Sequence, residues 1–113
     1  MTDCLFCRIA GGELDAEVVA ESTDIIAFRD INASAPTHVL VVPKRHVSSL
    51  SDLTRADDEL LGELVEVMND LASREGLDRG YRIVTNVGPD AGQSVQHLHF
   101  HVLGGRRMDW PPG

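Results

Sequence analysis

The chain has 113 residues, 42% of them hydrophobic, and ten Lys+Arg against eighteen Asp+Glu give a formal charge of −8 at pH 7. That length predicts a single domain over 1–113, able to bury a core but with a modest margin. The acidic balance argues against nonspecific nucleic-acid binding and against docking on an anionic membrane, since both rest on cationic contacts.

At the N-terminus, Met1-Thr2-Asp3 lacks the basic region and hydrophobic segment of a secretory leader. No apolar run approaches the roughly 18 residues of a membrane span. The expected location is therefore the cytoplasm, with reduced thiols. In that setting the Cys4-x-x-Cys7 pair is half of a tetrahedral zinc site, a redox pair, or two plain buried thiols. His38, His46 and His97 are the stock from which a zinc site would draw its other ligands. A short helix is expected over Leu5 to Ala10, broken by Gly11-Gly12. Val18 to Ala20 and Ile25 to Arg29 read as a strand hairpin around Glu21-Ser22-Thr23-Asp24. Asp30 lies two residues beyond Phe28, a pairing that suits either a ribose and base site or an ordinary surface turn. After a loop at 33–37, His38 to Val42 is strongly β-prone and is closed by Pro43-Lys44-Arg45-His46.

The clearest helix comes next. Thr54 is a good N-cap, and Asp57 three residues on completes a capping-box pattern. Leu60, Leu61, Leu64, Val65, Met68, Leu71 and Ala72 then follow the period of an amphipathic helix over 55–75, stopped at Gly76. Tyr81 to Thr85 and Gln96 to Leu103 are the last two expected strands. The sum is an α+β fold: about five mainly antiparallel strands, one long helix and a short N-terminal helix. Residues 104–113 are expected to form an extended tail carrying the only tryptophan, Trp110.

The final strand carries the chemistry. In His97-Leu98-His99-Phe100-His101-Val102-Leu103, strand alternation puts three imidazoles on one face and apolar side chains on the other. Core packing gives no reason for such a row, whereas metal binding or a covalent step does. One ring can attack an electrophile while a neighbour holds its other nitrogen or moves a proton, or two or three rings can bind a metal. The preceding loop, Asn86 to Ser94, is glycine-rich. Gly88 and Gly92 permit tight turns, and Gln93, Ser94 and nearby amides offer neutral donors suited to phosphate oxygens.

The run from Gly92 to Gly105 resembles the signature of the histidine triad (HIT) family. The ending Gly105-Arg106-Arg107-Met108-Asp109-Trp110-Pro111-Pro112-Gly113 is similar to its histidine triad nucleotide-binding protein branch. Asp30-Ile31, Ala35-Pro36-Thr37-His38 and Pro43-Lys44-Arg45-His46 match that branch as well. The resemblance implies a HIT-like fold and nucleotidyl hydrolysis or transfer. Its pattern makes His99 the nucleophile, His101 a phosphate and leaving-group contact, and His38 an accessory histidine beside the triad, with Ser94 another phosphate or leaving-group contact. Asp30 matches the ribose-binding acid, and Asn86 a polar residue near the phosphate. Leu5, Phe6, Ile9, Phe28 and Ile31 match the base-pocket wall, and Gln93 and Val95 fall among the nucleotide contacts. Bacterial relatives that keep the cysteine pair imply one structural zinc per chain, held by Cys4, Cys7, His46 and His97. The branch further implies a homodimer and purine nucleoside phosphoramidate substrates. Dinucleoside polyphosphate hydrolysis and a nucleotide-binding adaptor role stand as the alternatives. Gln96 replaces the tyrosine common in animal members, which bears on substrate preference.

Overall fold

The computed structural model describes residues 3–113; Met1 and Thr2, part of the leader argument, lie outside the described residues. The element order is α1 (Leu5–Ala10), β1 (Val18–Glu21), β2 (Ile25–Arg29), β3 (Thr37–Pro43), α2 (Asp58–Arg74), β4 (Tyr81–Val84) and β5 (Phe100–Gly104). The strands form one sheet in the order β1-β2-β3-β5-β4, every neighbouring pair antiparallel. This is the expected α+β architecture of a five-stranded sheet with one long and one short helix. Among the described residues no helix is long and apolar enough to cross a membrane.

Central β3 is buried at all seven positions, as its run of β-branched and aliphatic side chains requires. Alternation divides its residues between two faces. Val39 and Val41 join Ile25, Ala27, Phe100 and Val102 beneath the helical residues Leu64, Met68, Leu71 and Ala72. Leu40 and Val42 join Ile26, Phe28 and Phe6 of α1 on the opposite side. Fully burying Leu64 or Leu71 is worth roughly 1.5–3 kcal/mol each relative to leaving it in water. Arg29 adds a fork to Glu75 at 2.6 and 3.2 Å, tying the end of β2 to the end of α2.

The capping box forms as expected: Thr54 N–H donates to Asp57 Oδ2 at 2.9 Å, and Ala56 N–H donates to Thr54 Oγ1 at 3.2 Å. The first turn, Arg55–Asp57, is a tighter 3₁₀ turn, so the α-helix proper begins at Asp58. Val65 departs from the expected core stripe and is 52% exposed.

The last strand also departs from expectation. It starts at Phe100 rather than Gln96, and it runs through Gly104. Its ladder with β3 begins at the Val41–Phe100 pair, beyond which the partner groups are occupied differently. Pro43 has no N–H to offer, and its carbonyl accepts from the His97 ring at 2.8 Å. Leu98 N–H donates to Val47 O at 2.6 Å, and the His99 carbonyl accepts from Thr85 Oγ1 at 2.8 Å. The histidine segment is thus held by individual long-range bonds just before regular pairing starts.

Candidate active site

All three histidines of the run face the α1 side, while Leu98, Phe100 and Val102 enter the core under α2. Phe6 of α1 sets its edge against both His97 and His99, with ring centroids 5.9 and 5.1 Å apart. His99 and His101 are 5.1 Å apart between centroids, and both line a cavity of about 500 Å³. Its apolar wall includes Leu5, Phe6, Ile9, Phe28 and Ile31; Asp30, Ser94 and Val95 complete the part expected from sequence. Leu14, Asp15, Ala16 and Leu40 also line it and were not anticipated. For Leu40, strand alternation carried a usable signal, since it stands two residues from His38 on the same face, and the structure pairs it with His101. The 14–16 segment carries no such pattern.

Asn86 and Gln93 are not among the lining residues. The Gln93 side chain is buried and fully engaged. Its Oε1 accepts from Gly88 N–H at 3.0 Å, and its Nε2 donates to the carbonyls of Ser48 and Val95 at 2.8 and 3.0 Å. It shapes the loop that delivers Ser94. Gly88 and Gly92, both at φ 83°, make the turns of that loop.

Fixed partners assign the ring protons. The His97 carbonyl can only accept, so His99 Nδ1 donates to it at 2.7 Å, and in the neutral ring Nε2 carries the lone pair. The Ser34 amide can only donate, and it does so to His38 Nδ1 at 3.0 Å. His38 therefore carries its proton on Nε2, which donates to His101 Nδ1 at 2.9 Å and lies 3.4 Å from Asp30 Oδ2. His101, having accepted at Nδ1, carries its own proton on Nε2. The pair is a diagonal neighbour contact across β3 and β5, because His38 sits opposite Leu103 and Leu40 opposite His101.

Burial is the largest influence on all three of His38, His97 and His101, and it holds each below the usual imidazole value of 6.5. His101 falls to about 4, with burial the largest cause, His99 and His38 also lowering it and Asp30 opposing them. A folded-state pKa below the unfolded one means full stability above about pH 6.5, lost progressively as pH falls toward 4. The urea midpoint should accordingly drop between pH 7.5 and pH 5, and His101→Gln should make that drop shallower. Equal slopes in the two proteins would contradict this assignment.

A second cluster lies behind His97. Cys4 Sγ and Cys7 Sγ are 3.2 and 3.4 Å from His97 Nδ1, and Cys7 Sγ is 3.3 Å from His46 Nδ1. The four donor atoms lie within 4.8 Å of one another. With bonds near 2.3 Å to sulfur and 2.1 Å to nitrogen, a tetrahedral zinc would hold these ligands roughly 3.5 Å apart. His97 Nε2–H donates to Pro43 O, which leaves the Nδ1 lone pair aimed at the sulfurs. Geometry and donor chemistry both fit a closed, structural ion. Without metal, burial pushes the Cys7 thiol up to about 11, aided by its hydrogen bond with Cys4. Asp30, His38 and His101 also cluster, yet Ser34 N–H already takes His38 Nδ1. A metal on His38 Nε2 would require an imidazolate there, so this group reads as a hydrogen-bond relay.

Residues 11–108 match the HIT domain. The fold superposes on the crystal structure of a HIT family hydrolase from Legionella pneumophila with a TM-score of 0.96 and 51% identity, covering 98% of this chain and 100% of that one. The chain is 47% identical over 112 residues to a 14 kDa zinc-binding protein of Zea mays, covering 96% of this chain and 87% of that protein. It is 45% identical over 111 residues to an uncharacterised HIT-like protein of Synechococcus elongatus, covering 98% and 97% respectively. With a family domain spanning nearly the whole chain and a histidine run built as described, the chain belongs to the HIT family.

Proposed function

We propose that this chain, as one HIT domain with 104–113 as its tail, hydrolyses purine nucleoside phosphoramidates through a covalent nucleotidyl intermediate on His99. The single observation that carries this reading is the 2.7 Å bond from His99 Nδ1–H to the His97 carbonyl, which leaves Nε2 as a lone pair in the cavity wall. A neutral, oriented imidazole of this kind is a nucleophile suited to phosphorus.

In the first step His99 Nε2 attacks the α-phosphorus. The P–N bond breaks, its electron pair goes to nitrogen, and the departing amine takes a proton from solvent. Water then attacks phosphorus, loses a proton to solvent and releases His99 with its lone pair restored. The products are nucleoside monophosphate and amine. His101 Nε2–H and Ser94 supply donors to the phosphate oxygens and leaving group, and such preoriented donors lower the barrier most where charge develops. The apolar wall of Leu5, Phe6, Ile9, Phe28 and Ile31 accepts the base, and Asp30 the ribose hydroxyls.

The same reading places one structural zinc on Cys4, Cys7, His46 and His97. Support comes from the donor geometry and from the maize relative, which is named a zinc-binding protein. The ion supplies no step of the reaction; it fastens α1 and the residues after β3 to the histidine segment. Cys4 and Cys7 form no disulfide with each other, which suits residence in the reducing cytoplasm.

We further assign the chain to the nucleotide-binding branch as a homodimer. The sheet edge β4 exposes Tyr81 and Ile83, α2 exposes Val65, and Trp110 is 81% exposed. Light scattering should give twice the chain mass, and a monomer would remove this assignment.

The deciding experiment compares turnover of adenosine 5′-phosphoramidate with that of a dinucleoside polyphosphate, alongside binding of the monophosphate. Faster phosphoramidate turnover is expected. Faster polyphosphate turnover would move the chain to the other hydrolase class, and binding without turnover would make it an adaptor.

A further inference from the structure

The hydrogen-bond chain that ends at His101 begins outside the cavity. Its first member is the Ser34 amide, in the loop between Asp30 and His38. The loop residues 31–34 are exposed; Asp30 N–H to His38 O at 3.0 Å and Asn32 N–H to Asp30 Oδ1 at 2.9 Å hold the start of the loop but make no bond to Ser34 itself. Two contacts from the segment after β5 reach Ser34 and its neighbour Pro36. Gly105, at φ 90°, lies so close to Pro36 that an added Cβ would stand 2.9 Å from the proline Cβ. Arg106 then turns its guanidinium onto Ser34, its Nε and Nη2 donating to the Ser34 carbonyl at 3.3 and 3.0 Å. A third donor, Nη1, reaches the Arg107 carbonyl at 3.1 Å and steadies the fork. Among the described residues no carboxylate forms an ion pair with Arg106 within 4.0 Å. Its donors go to backbone instead. A rigid planar fork suits this use, because it fixes both the position and the direction of the group it holds.

We propose that Arg106 is a positioning residue: by clamping the Ser34 carbonyl it keeps the Ser34 N–H on His38 Nδ1, and so keeps a hydrogen-bond donor on His101 Nε2 facing the substrate. The inference rests on the phosphoramidase reading for its catalytic consequence, but not for its structural content. Release of Ser34 removes the donor that reserves His38 Nδ1 as an acceptor. His38 can then place its proton on Nδ1, which turns Nε2 into an acceptor. His101 Nδ1 must respond by carrying a proton, and its Nε2 becomes a lone pair where the substrate needs a donor. Asp30 Oδ2, 3.4 Å from His38 Nε2, favours the original arrangement from the other side. Loss of the clamp therefore gives a mixture of tautomers rather than a complete reversal.

The test uses the full-length protein with its native metal content and ¹⁵N-labelled histidine. Long-range ¹H–¹⁵N spectra report which ring nitrogen bears the proton, without any substrate. In the native chain His38 and His101 should each show a single Nε2–H tautomer. Arg106→Ala should show averaged nitrogen shifts at both residues, and Arg106→Lys should recover them only in part, because an ammonium lacks the fork. Single-turnover release of adenosine monophosphate from adenosine 5′-phosphoramidate should slow about ten-fold in Arg106→Ala, less than the 10²–10³ typical of deleting an oriented donor outright. Monophosphate affinity should change less than two-fold. Backbone amide spectra matching the native chain outside 31–38 and 104–107 establish that each variant is folded; Arg106→Met serves in place of Arg106→Ala if the latter fails that check. Unchanged tautomers in the folded variant would overturn the proposal, as would a rate loss explained wholly by weaker binding. A native chain that hydrolyses no phosphoramidate would instead overturn the functional reading, and the nitrogen shifts would still decide the role of Arg106.

Discussion

His99→Ala should abolish single-turnover release of nucleoside monophosphate, by a factor on the order of 10⁴ or more, the scale seen when a covalent nucleophile is deleted. Adenosine monophosphate binding should survive, because the apolar cavity wall of Leu5, Phe6, Ile9 and Phe28 is unchanged and Asp30 still lines the cavity. The reason for so large an effect is positional. His99 is 5% exposed, its Nδ1–H is anchored 2.7 Å from the His97 carbonyl, and Phe6 packs edge-on against its ring. The free nitrogen is thereby held in one orientation before substrate arrives. Rapid-quench trapping should also find phosphorus bound to histidine in the native chain and none in the variant. Near-native turnover in His99→Ala would refute the assignment, and His38 and His101 would then have to be examined in its place.

The second large effect should follow removal of the cysteines. Metal analysis of protein purified without chelator should give one zinc per chain, and none in a Cys4→Ser, Cys7→Ser double variant. Binding confined to the native state stabilises it by about 4 kcal/mol when free zinc stands near 1,000 times its dissociation constant. The native chain should therefore lose a comparable amount on chelation, read as a fall in urea midpoint, whereas the variant should show no response to chelator. Uptake should also release protons. Without metal, burial pushes Cys7 up to about 11, so its thiol must give up a proton to become a ligand. Activity should decline with the metal, because His97 presents its ring to the cysteines and its carbonyl to His99. An unchanged midpoint after complete chelation would reduce the cluster to a coincidence of spacing.

Local patterns carried much of the architecture. Helix α1 and strand β2 run between the residues expected from propensity and breakers, and the Thr54–Asp57 cap forms where its spacing placed it. What local pattern could not supply was the partner of each group at long range. Alternation extended the last strand back to Gln96, yet strand pairing needs free backbone groups opposite, and Pro43 withholds one while His97 takes the other. The polar composition of the 86–94 loop suggested Gln93 as a substrate donor. Its amide is instead consumed by Gly88, Ser48 and Val95, a use visible only when residue 48 is brought alongside. The Ser34 amide was invisible for a different reason, since any residue but proline has an N–H and only geometry gives this one a task.

The span of the cysteine–histidine cluster sets when it can form during folding. Cys4 and His97 are separated by 93 positions, and His46 stands 39 positions beyond Cys7. In an extended chain these donors are too dispersed to share an ion, and loop closure over such distances is opposed by chain entropy. In the fold, His97 reaches Cys4 and Cys7 from the segment just before the β3–β5 ladder, packed against Phe6, so a four-ligand site requires that long-range pairing. Completion of the proposed zinc site should consequently be a late event in folding, with the spectrum of a cobalt ion placed there following the closing of the sheet rather than its nucleation.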